Sequence, residues 1–121
     1  MGTIEEEIEF SKRLLAFEDD WDDDGALACN PEIYHKSIKL LRNYTNGLKS
    51  CQPPMINLCR DGSIDLEWQG EGNKVLIVNI VNQAEFEYCF YGREKDKEIK
   101  GTIKNWELDS KLRKMIREWK T

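Results

Sequence analysis

Residues 55–68 read MINLCRDGSIDLEW, and this stretch decides the fold. Apolar and polar residues alternate on both sides of Asp61-Gly62, and a period of two is typical of half-buried β-strands. A two-residue turn would pair Leu66 with Asn57, whereas a three-residue loop pairs Leu66 with Ile56 and gathers the apolar side chains on one face. The sequence therefore predicts a β-hairpin with a bulged turn that ends on a left-handed glycine.

The flanking sequence predicts helices before this hairpin, then more strands and a final helix. Helical spacing from Ile4 to about Asp19 predicts the first helix, and Asn30-Pro31 supplies the cap of a second helix that runs to about Tyr44. The later elements are strands at 55–59 and 63–68, a central strand at 74–81 covered on both faces, a strand at 84–91, a charged loop with an edge strand at 93–104, and a helix from about Leu108 capped near Asp109. We expect one α+β domain over residues 1–121, with two N-terminal helices, an antiparallel meander of four or five strands and a C-terminal helix, ααββββα.

Composition narrows the class of protein. The chain has 121 residues, 40% of them hydrophobic and 34% charged, which is enough for one core under a heavily charged surface. The longest apolar run, Val75–Val78, is far shorter than the roughly 20 residues that cross a bilayer, and no signal-peptide pattern opens the sequence. The four cysteines form no C-x-x-C pair. We expect a cytoplasmic protein with free thiols, no cofactor, no structural zinc and no membrane contact.

Charge is distributed unevenly along the chain. Residues 1–25 carry ten acidic and two basic side chains, a net charge of -8, although the whole chain carries only -5. Residues 93–121 carry six acidic and ten basic side chains, a net charge of +4. The two ends of the chain either attract each other within the fold or face different partners.

The densest candidate for function is the acidic run that ends at Gly25. Asp20, Asp22 and Asp24 match the opening of a calcium-binding EF-hand loop, but the twelfth position holds Pro31 instead of a bidentate glutamate. The run is therefore more typical of a solvated acidic turn between two helices than of a calcium site. The same residues are a candidate anionic surface for a protein partner, with Trp21 either as an aromatic anchor or as a cap on the core. The candidate partner-binding residues are Glu18, Asp19, Asp20, Trp21, Asp22, Asp23 and Asp24.

Signals for catalysis and for nucleic-acid binding are weak. His35 lies inside a predicted helix, and the sequence contains no nucleophile elbow and no phosphate-binding loop. The carboxylates Asp65 and Glu67 need a pocket before they could act as acid and base. The C-terminal helix combines basic residues with Trp119, but that ring continues the apolar stripe, and the overall acidity argues against direct nucleic-acid binding. We expect no catalytic residue and no enzyme activity.

Two short motifs resemble a known family. Trp21-Asp22-Asp23-Asp24-Gly25-Ala26 and, after Pro53-Pro54, Gly62-Ser63-Ile64-Asp65-Leu66-Glu67-Trp68 are similar to the W-D-x-x-G-A and G-x-I-x-L-E-W signatures of small, largely uncharacterised bacterial and phage proteins. The resemblance covers roughly residues 15–90. It implies a common fold, and it supplies no catalytic residue that could be assigned to a position of this sequence.

These observations lead to one hypothesis and three alternatives, the third of which is an enzyme that acts through carboxylates in a cleft between the sheet and the helices. We expect a small acidic protein-binding module, an inhibitor of the antitoxin, immunity or phage anti-defence (anti-CRISPR-like) kind, that acts on a nuclease or other nucleic-acid-binding effector. The first alternative is a domain that binds a divalent metal or small ligand through the acidic loop at residues 18–25. The second is a homo-oligomer that forms through the sheet, where Val75, Ile77 and Val81 are candidates for exposure.

Overall fold

A computed structural model of the chain describes residues 2–48, 51–70, 74–82, 85–91, 98–104 and 110–119. Its elements are helix α1 (Ile4–Ser11), a 3₁₀ segment (Lys12–Ala16), helix α2 (Pro31–Thr45), strands β1 (Met55–Leu58), β2 (Ile64–Gln69), β3 (Val75–Ile80), β4 (Glu85–Tyr91) and β5 (Glu98–Lys104), and helix α3 (Ser110–Arg117). The strands form one antiparallel sheet in the order β1-β2-β3-β4-β5. The α+β class is confirmed. The predicted loop at 93–97, the strand start at Ala84 and the cap near Asp109 lie outside the described residues.

The hairpin has the predicted register. Ile56 pairs with Leu66 and Leu58 pairs with Ile64, so the apolar residues of both strands share one face. Gly62 has a φ of 85°, and its N–H donates to the carbonyl of Cys59 at 3.0 Å. A residue with a side chain is disfavoured in this left-handed region, so glycine permits the tight turn.

The first helix is shorter than predicted. It ends at Ser11, and the chain continues as the 3₁₀ segment up to Ala16 instead of remaining α-helical to about Asp19. Leu15 is exposed, and the buried residues here are Ile8, Ser11 and Leu14. Ser11 donates its hydroxyl to the carbonyl of Ile8 at 2.6 Å and lies 2.7 Å from the Tyr34 hydroxyl of α2, so a polar residue occupies the buried stripe.

Helix α2 begins at the predicted cap. The side chain of Asn30 accepts hydrogen bonds from the backbone N–H groups of Glu32 and Ile33, and Pro31 is the first helical residue. The helix presents Tyr34, Leu41 and other apolar residues to the core. This cap fixes the end of the acidic segment that precedes it.

The core lies between the helices and one face of the sheet. Trp68 of β2 and Leu76, Val78 and Ile80 of β3 are fully buried on that face. The two faces of β3, which was expected to be covered on both, are covered to different extents, because its alternate residues Val75, Ile77 and Asn79 are half-buried. The sheet therefore has one face that packs in the core and one that is more open.

Candidate functional site

The predicted partner-binding residues lie together in one loop between the 3₁₀ segment and α2. We call residues 18–28 the acidic loop. Its backbone folds back on itself, since Asp20 N–H donates to the carbonyl of Ala26 at 2.6 Å and Asp23 N–H donates to the carbonyl of Asp20 at 3.0 Å. Asp20, Asp23 and Gly25 have φ values of 67°, 59° and 83°. Aspartate and glycine are among the residues that adopt this left-handed conformation most readily.

Several carboxylates in the loop bind the loop's own backbone. Asp19 Oδ1 accepts from the N–H of Ala28 at 2.8 Å, and Asp20 Oδ1 accepts from the N–H of Gly25 at 2.7 Å. Asp22 Oδ1 accepts from the N–H groups of Asp24 at 2.9 Å and Ala26 at 3.1 Å. These side chains replace the regular backbone pairing that a helix or strand would provide.

Arg60, in the turn between β1 and β2, attaches the acidic loop to the sheet. Its Nε donates to Asp22 Oδ2 at 2.6 Å, and its Nη2 donates to the carbonyl of Asp24 and lies 3.3 Å from Asp24 Oδ2. In addition, Leu27 N–H donates to the Arg60 carbonyl at 2.8 Å. Partial burial alone would raise the pKa of Asp22, but the hydrogen bonds from Asp24, Ala26 and Arg60 outweigh it and hold this pKa below its ordinary value.

The turn that receives the loop is itself fixed by hydrogen bonds. Asp61 Oδ1 accepts from the hydroxyl of Ser63 at 2.5 Å and from its N–H at 3.0 Å, and both bonds hold the pKa of Asp61 below its ordinary value. Asn79 of β3 donates to Ser63 Oγ at 3.0 Å and to Asp65 Oδ1 at 2.5 Å. The acidic loop therefore rests on a turn that side chains connect to two neighbouring strands.

An aromatic pair supports the loop from inside. The Trp21 ring lies 5.4 Å from the Phe17 ring, and its Nε1 donates to the carbonyl of Leu27 at 2.8 Å. Trp21 is half-buried and packs against the core, so it supports the fold while part of its ring reaches the surface. Leu27, which the Trp21 hydrogen bond helps to position, is 52% exposed.

The surface that the loop offers differs from the predicted one. Glu18 and Asp23 have exposed side chains that form no hydrogen bond or ion pair within the described part of the chain. Asp19, Asp20 and Asp22 instead hold the loop together, and Asp22 and Asp24 pair with Arg60. Sequence reasoning missed Arg60 and Leu27. The available signal for Leu27 was a large apolar residue between two alanines outside any helix or strand.

The described residues contain no group of three or more histidine, cysteine, aspartate or glutamate side chains arranged to hold a metal ion. Burial raises the pKa values of the thiols of Cys29 and Cys51, and raises that of Cys59 to about 12. A raised thiol pKa leaves little thiolate near neutral pH. His35 is exposed on α2 and makes an edge-on contact with Tyr34 at 5.6 Å between ring centroids.

A separate cleft lies at the other end of the helices. It has a volume of about 1080 Å³ and lies between the start of α1, the end of α2 and residues 51–53. Apolar residues that line it include Ile4, Leu48 and Trp119, and the Glu5–Arg42 ion pair stands at its rim. This cleft shares no lining residue with the acidic loop.

No helix among the described residues is both long enough and apolar enough to span a membrane. Comparison of the chain with protein-family models, with curated proteins and with solved structures finds no match in any of the three.

Proposed function

We propose that the protein is a small protein-binding module whose contact surface is the acidic loop. The observation that carries this proposal is the exposure of Leu27 on a loop that several hydrogen bonds and Arg60 hold in place. Glu18 and Asp23 of the same loop add exposed negative charge. An exposed apolar side chain on a loop that also carries charged side chains has the composition of a protein interface with a desolvated centre and a polar rim.

The braced conformation of the loop favours binding. A flexible loop loses conformational entropy when a partner orders it, at a cost of about 1–2 kcal/mol for each residue whose backbone becomes fixed. The hydrogen bonds made by Asp19, Asp20 and Asp22 already fix the backbone. A partner that contacts Leu27 therefore meets a surface that needs little reorganisation.

The charge of the segment indicates the chemistry of the partner. Residues 1–25 carry a net charge of -8, and only part of it is balanced by Arg42 and Arg60 from the rest of the described chain. Complementary charge speeds association and disfavours wrong partners. We therefore favour a basic surface on a nuclease or other nucleic-acid-binding effector, which makes the protein an inhibitor of the antitoxin, immunity or phage anti-defence kind.

The test is affinity capture from a host-cell lysate with a variant that changes only the surface of the loop. Glu18→Gln, Asp23→Asn and Leu27→Ser together leave the carboxylates of Asp19, Asp20 and Asp22 in place, so the loop keeps its internal hydrogen bonds. Asparagine tolerates the left-handed backbone at position 23. We expect the natural protein to capture one basic protein that this variant loses.

A matched control separates the loop from net charge. Glu9→Gln with Glu87→Gln removes two exposed carboxylates outside the loop and changes the net charge by the same amount. The control should capture the same partner as the natural protein. Retention of the partner by the loop variant, or its loss by the control to the same extent, contradicts the proposal.

The cleft of about 1080 Å³ supports a second candidate function, binding of a small ligand. Its volume is comparable to that of ligand pockets, and its wall combines apolar side chains with an ion pair.

Divalent-metal binding by the acidic loop has less support, because the carboxylates of Asp20 and Asp22 already bind backbone N–H groups and Arg60. Calorimetric titration with Ca²⁺ and Mg²⁺ tests that version, and absence of heat beyond dilution contradicts it.

Self-association through the open face of the sheet is a further proposal. Val75 and Ile77 are half-buried there, and Val81, directly after β3, is 38% exposed. A dimeric mass in light scattering that Ile77→Lys converts to a monomeric mass would support it. A monomeric mass for the natural protein would contradict it.

A further inference from the structure

Helix α3 carries basic residues over nearly all of its exposed side. Successive residues of an α-helix are about 100° apart, and Leu112, Ile116 and the following Trp119 fall on one buried side. The opposite arc holds Lys111, Arg113, Lys114 and Arg117, with Glu118 as the one acidic residue among 110–119. Lys111, Lys114 and Arg117 are exposed, and Lys74 adds a further cation 4.3 Å from the centroid of the Trp119 ring.

Two contacts place α3 far from the acidic loop. Arg113 donates to the carbonyl of Asn46, at the end of α2, and Trp119 lies beside Lys74, just before β3. The acidic loop lies at the opposite ends of these two elements, next to the start of α2 and to the end of β3 that pairs with the start of β2. Helix α2 begins directly after the loop, and its 15 residues span about 22 Å at about 1.5 Å per residue. The β2 residues between the loop's turn and the level of Val75 span about 17 Å at roughly 3.3 Å per residue.

This separation changes how the net charge bears on binding. Exposed charges are screened beyond about 8 Å at physiological salt, so the acidic loop contributes little to the potential at α3. The first turn of α1 is nearer and carries three glutamates. Glu5 pairs with Arg42 across the cleft, Glu7 accepts from the N–H of Ile56, and Glu6 is exposed. Among the described residues, the ion pairs of segment 1–25 are made with Lys12, Arg42 and Arg60 and none with α3.

We propose that the exposed side of α3 is a second interaction surface, and that it binds the phosphate backbone of a nucleic acid. The overall acidity of the chain argues against such binding only if its negative charges lie near α3, and among the described residues the acidic loop lies at a distance from this helix. Trp119 is only 6% exposed and so offers no ring for base stacking. Binding is therefore electrostatic and independent of base sequence.

The test measures binding of a fluorescently labelled DNA duplex by anisotropy. Three or four phosphate contacts predict a slope of about -3 for the logarithm of the association constant against the logarithm of salt concentration. The variant Lys111→Glu/Lys114→Glu/Arg117→Glu should weaken binding at least about tenfold at low salt. If circular dichroism shows that this variant is unfolded, Lys111→Gln/Lys114→Gln/Arg117→Gln replaces it, with the same expectation.

The matched control is Lys12→Glu/Arg13→Glu/Lys39→Glu, which reverses three exposed cations outside α3 and changes the net charge equally. It should keep duplex affinity within about threefold, well short of the tenfold loss that about three lost phosphate contacts bring. Absence of duplex binding by the natural protein, equal loss in both triple variants, or binding to anionic lipid vesicles without binding to the duplex overturns the proposal. The loop variant Glu18→Gln/Asp23→Asn/Leu27→Ser should leave duplex binding unchanged, so the two proposals can fail independently.

Discussion

Replacement of Trp21 by phenylalanine tests whether the acidic loop is held as described. The change removes the 2.8 Å hydrogen bond from the indole N–H to the Leu27 carbonyl, which contributes about 1 kcal/mol. It also shortens the half-buried ring beside Phe17, and losing about 20–40 Å² of apolar burial costs about 0.5–1 kcal/mol. We expect the free energy of unfolding, measured with urea, to fall by about 1.5–2 kcal/mol.

Hydrogen exchange locates this effect. The amides of Gly25, Ala26 and Ala28 are bonded to aspartate side chains, and they should lose about tenfold protection in the Trp21 variant. Trp68→Phe is the control, since its indole N–H donates to Gln52 at a distance from the loop. It should lower global stability without selective loss at the three loop amides. A Trp21 variant with unchanged stability and unchanged loop protection would refute this description of the loop.

Three further predictions concern single residues. Tyr34→Phe removes the buried 2.7 Å hydrogen bond between the hydroxyl groups of Tyr34 and Ser11, and it should lower the free energy of unfolding by about 1–2 kcal/mol. A urea midpoint equal to that of the natural protein would show that this hydrogen bond contributes nothing to stability. Burial raises the pKa of Cys59 to about 12, so its alkylation by iodoacetamide at about pH 8 should be roughly a thousandfold slower than that of an ordinary thiol. Fast labelling of the peptide that contains Cys59, measured by mass spectrometry, would contradict this. The lowered pKa of Asp61 means that its stabilising contribution is complete above its unfolded pKa of about 3.9 and is lost as pH falls through the lower folded value. Asp61→Asn should therefore flatten the pH dependence of stability below about pH 4, and an unchanged slope would oppose this.

Local patterns predicted the hairpin and the start of α2 well because neighbouring residues determine both. The alternation of apolar residues around Asp61-Gly62 permits only one register that buries Ile56 and Leu66 together. The cap at Asn30-Pro31 satisfies the first N–H groups of α2 whatever the rest of the chain does. These elements could therefore be predicted without knowledge of long-range contacts.

The end of the first helix could not be predicted in this way. Its buried stripe contains Ser11, which a hydropathy pattern treats as a solvent-facing residue. Burial of this serine depends on Tyr34, 23 residues away, whose hydroxyl gives it a hydrogen-bond partner. The predicted α-helix to about Asp19 was wrong, because the chain continues after Ser11 as a 3₁₀ segment in which Leu14 is buried.

The position of the candidate site in the sequence could be predicted, but not which of its side chains are exposed. The sequence identified residues 18–24 as one acidic segment, and the structure places them in one loop. The sequence could not reveal that Arg60 binds Asp22, which lies 38 residues earlier in the chain. Nor could it reveal that backbone N–H groups of the loop bind the carboxylates of Asp19 and Asp20. Exposed binding groups can be separated from structural ones only when these long-range bonds are known.

Site-specific photo-crosslinking in host cells tests the central claim most directly. A benzoylphenylalanine replaces Leu27 in one variant and Phe10 in a second, because Phe10 of α1 is also an exposed apolar residue, at 60%. If the acidic loop is the contact surface, irradiation should join the variant substituted at position 27 to one basic protein and give little or no such adduct at position 10. An adduct of equal yield at position 10, or none at position 27, would contradict the account.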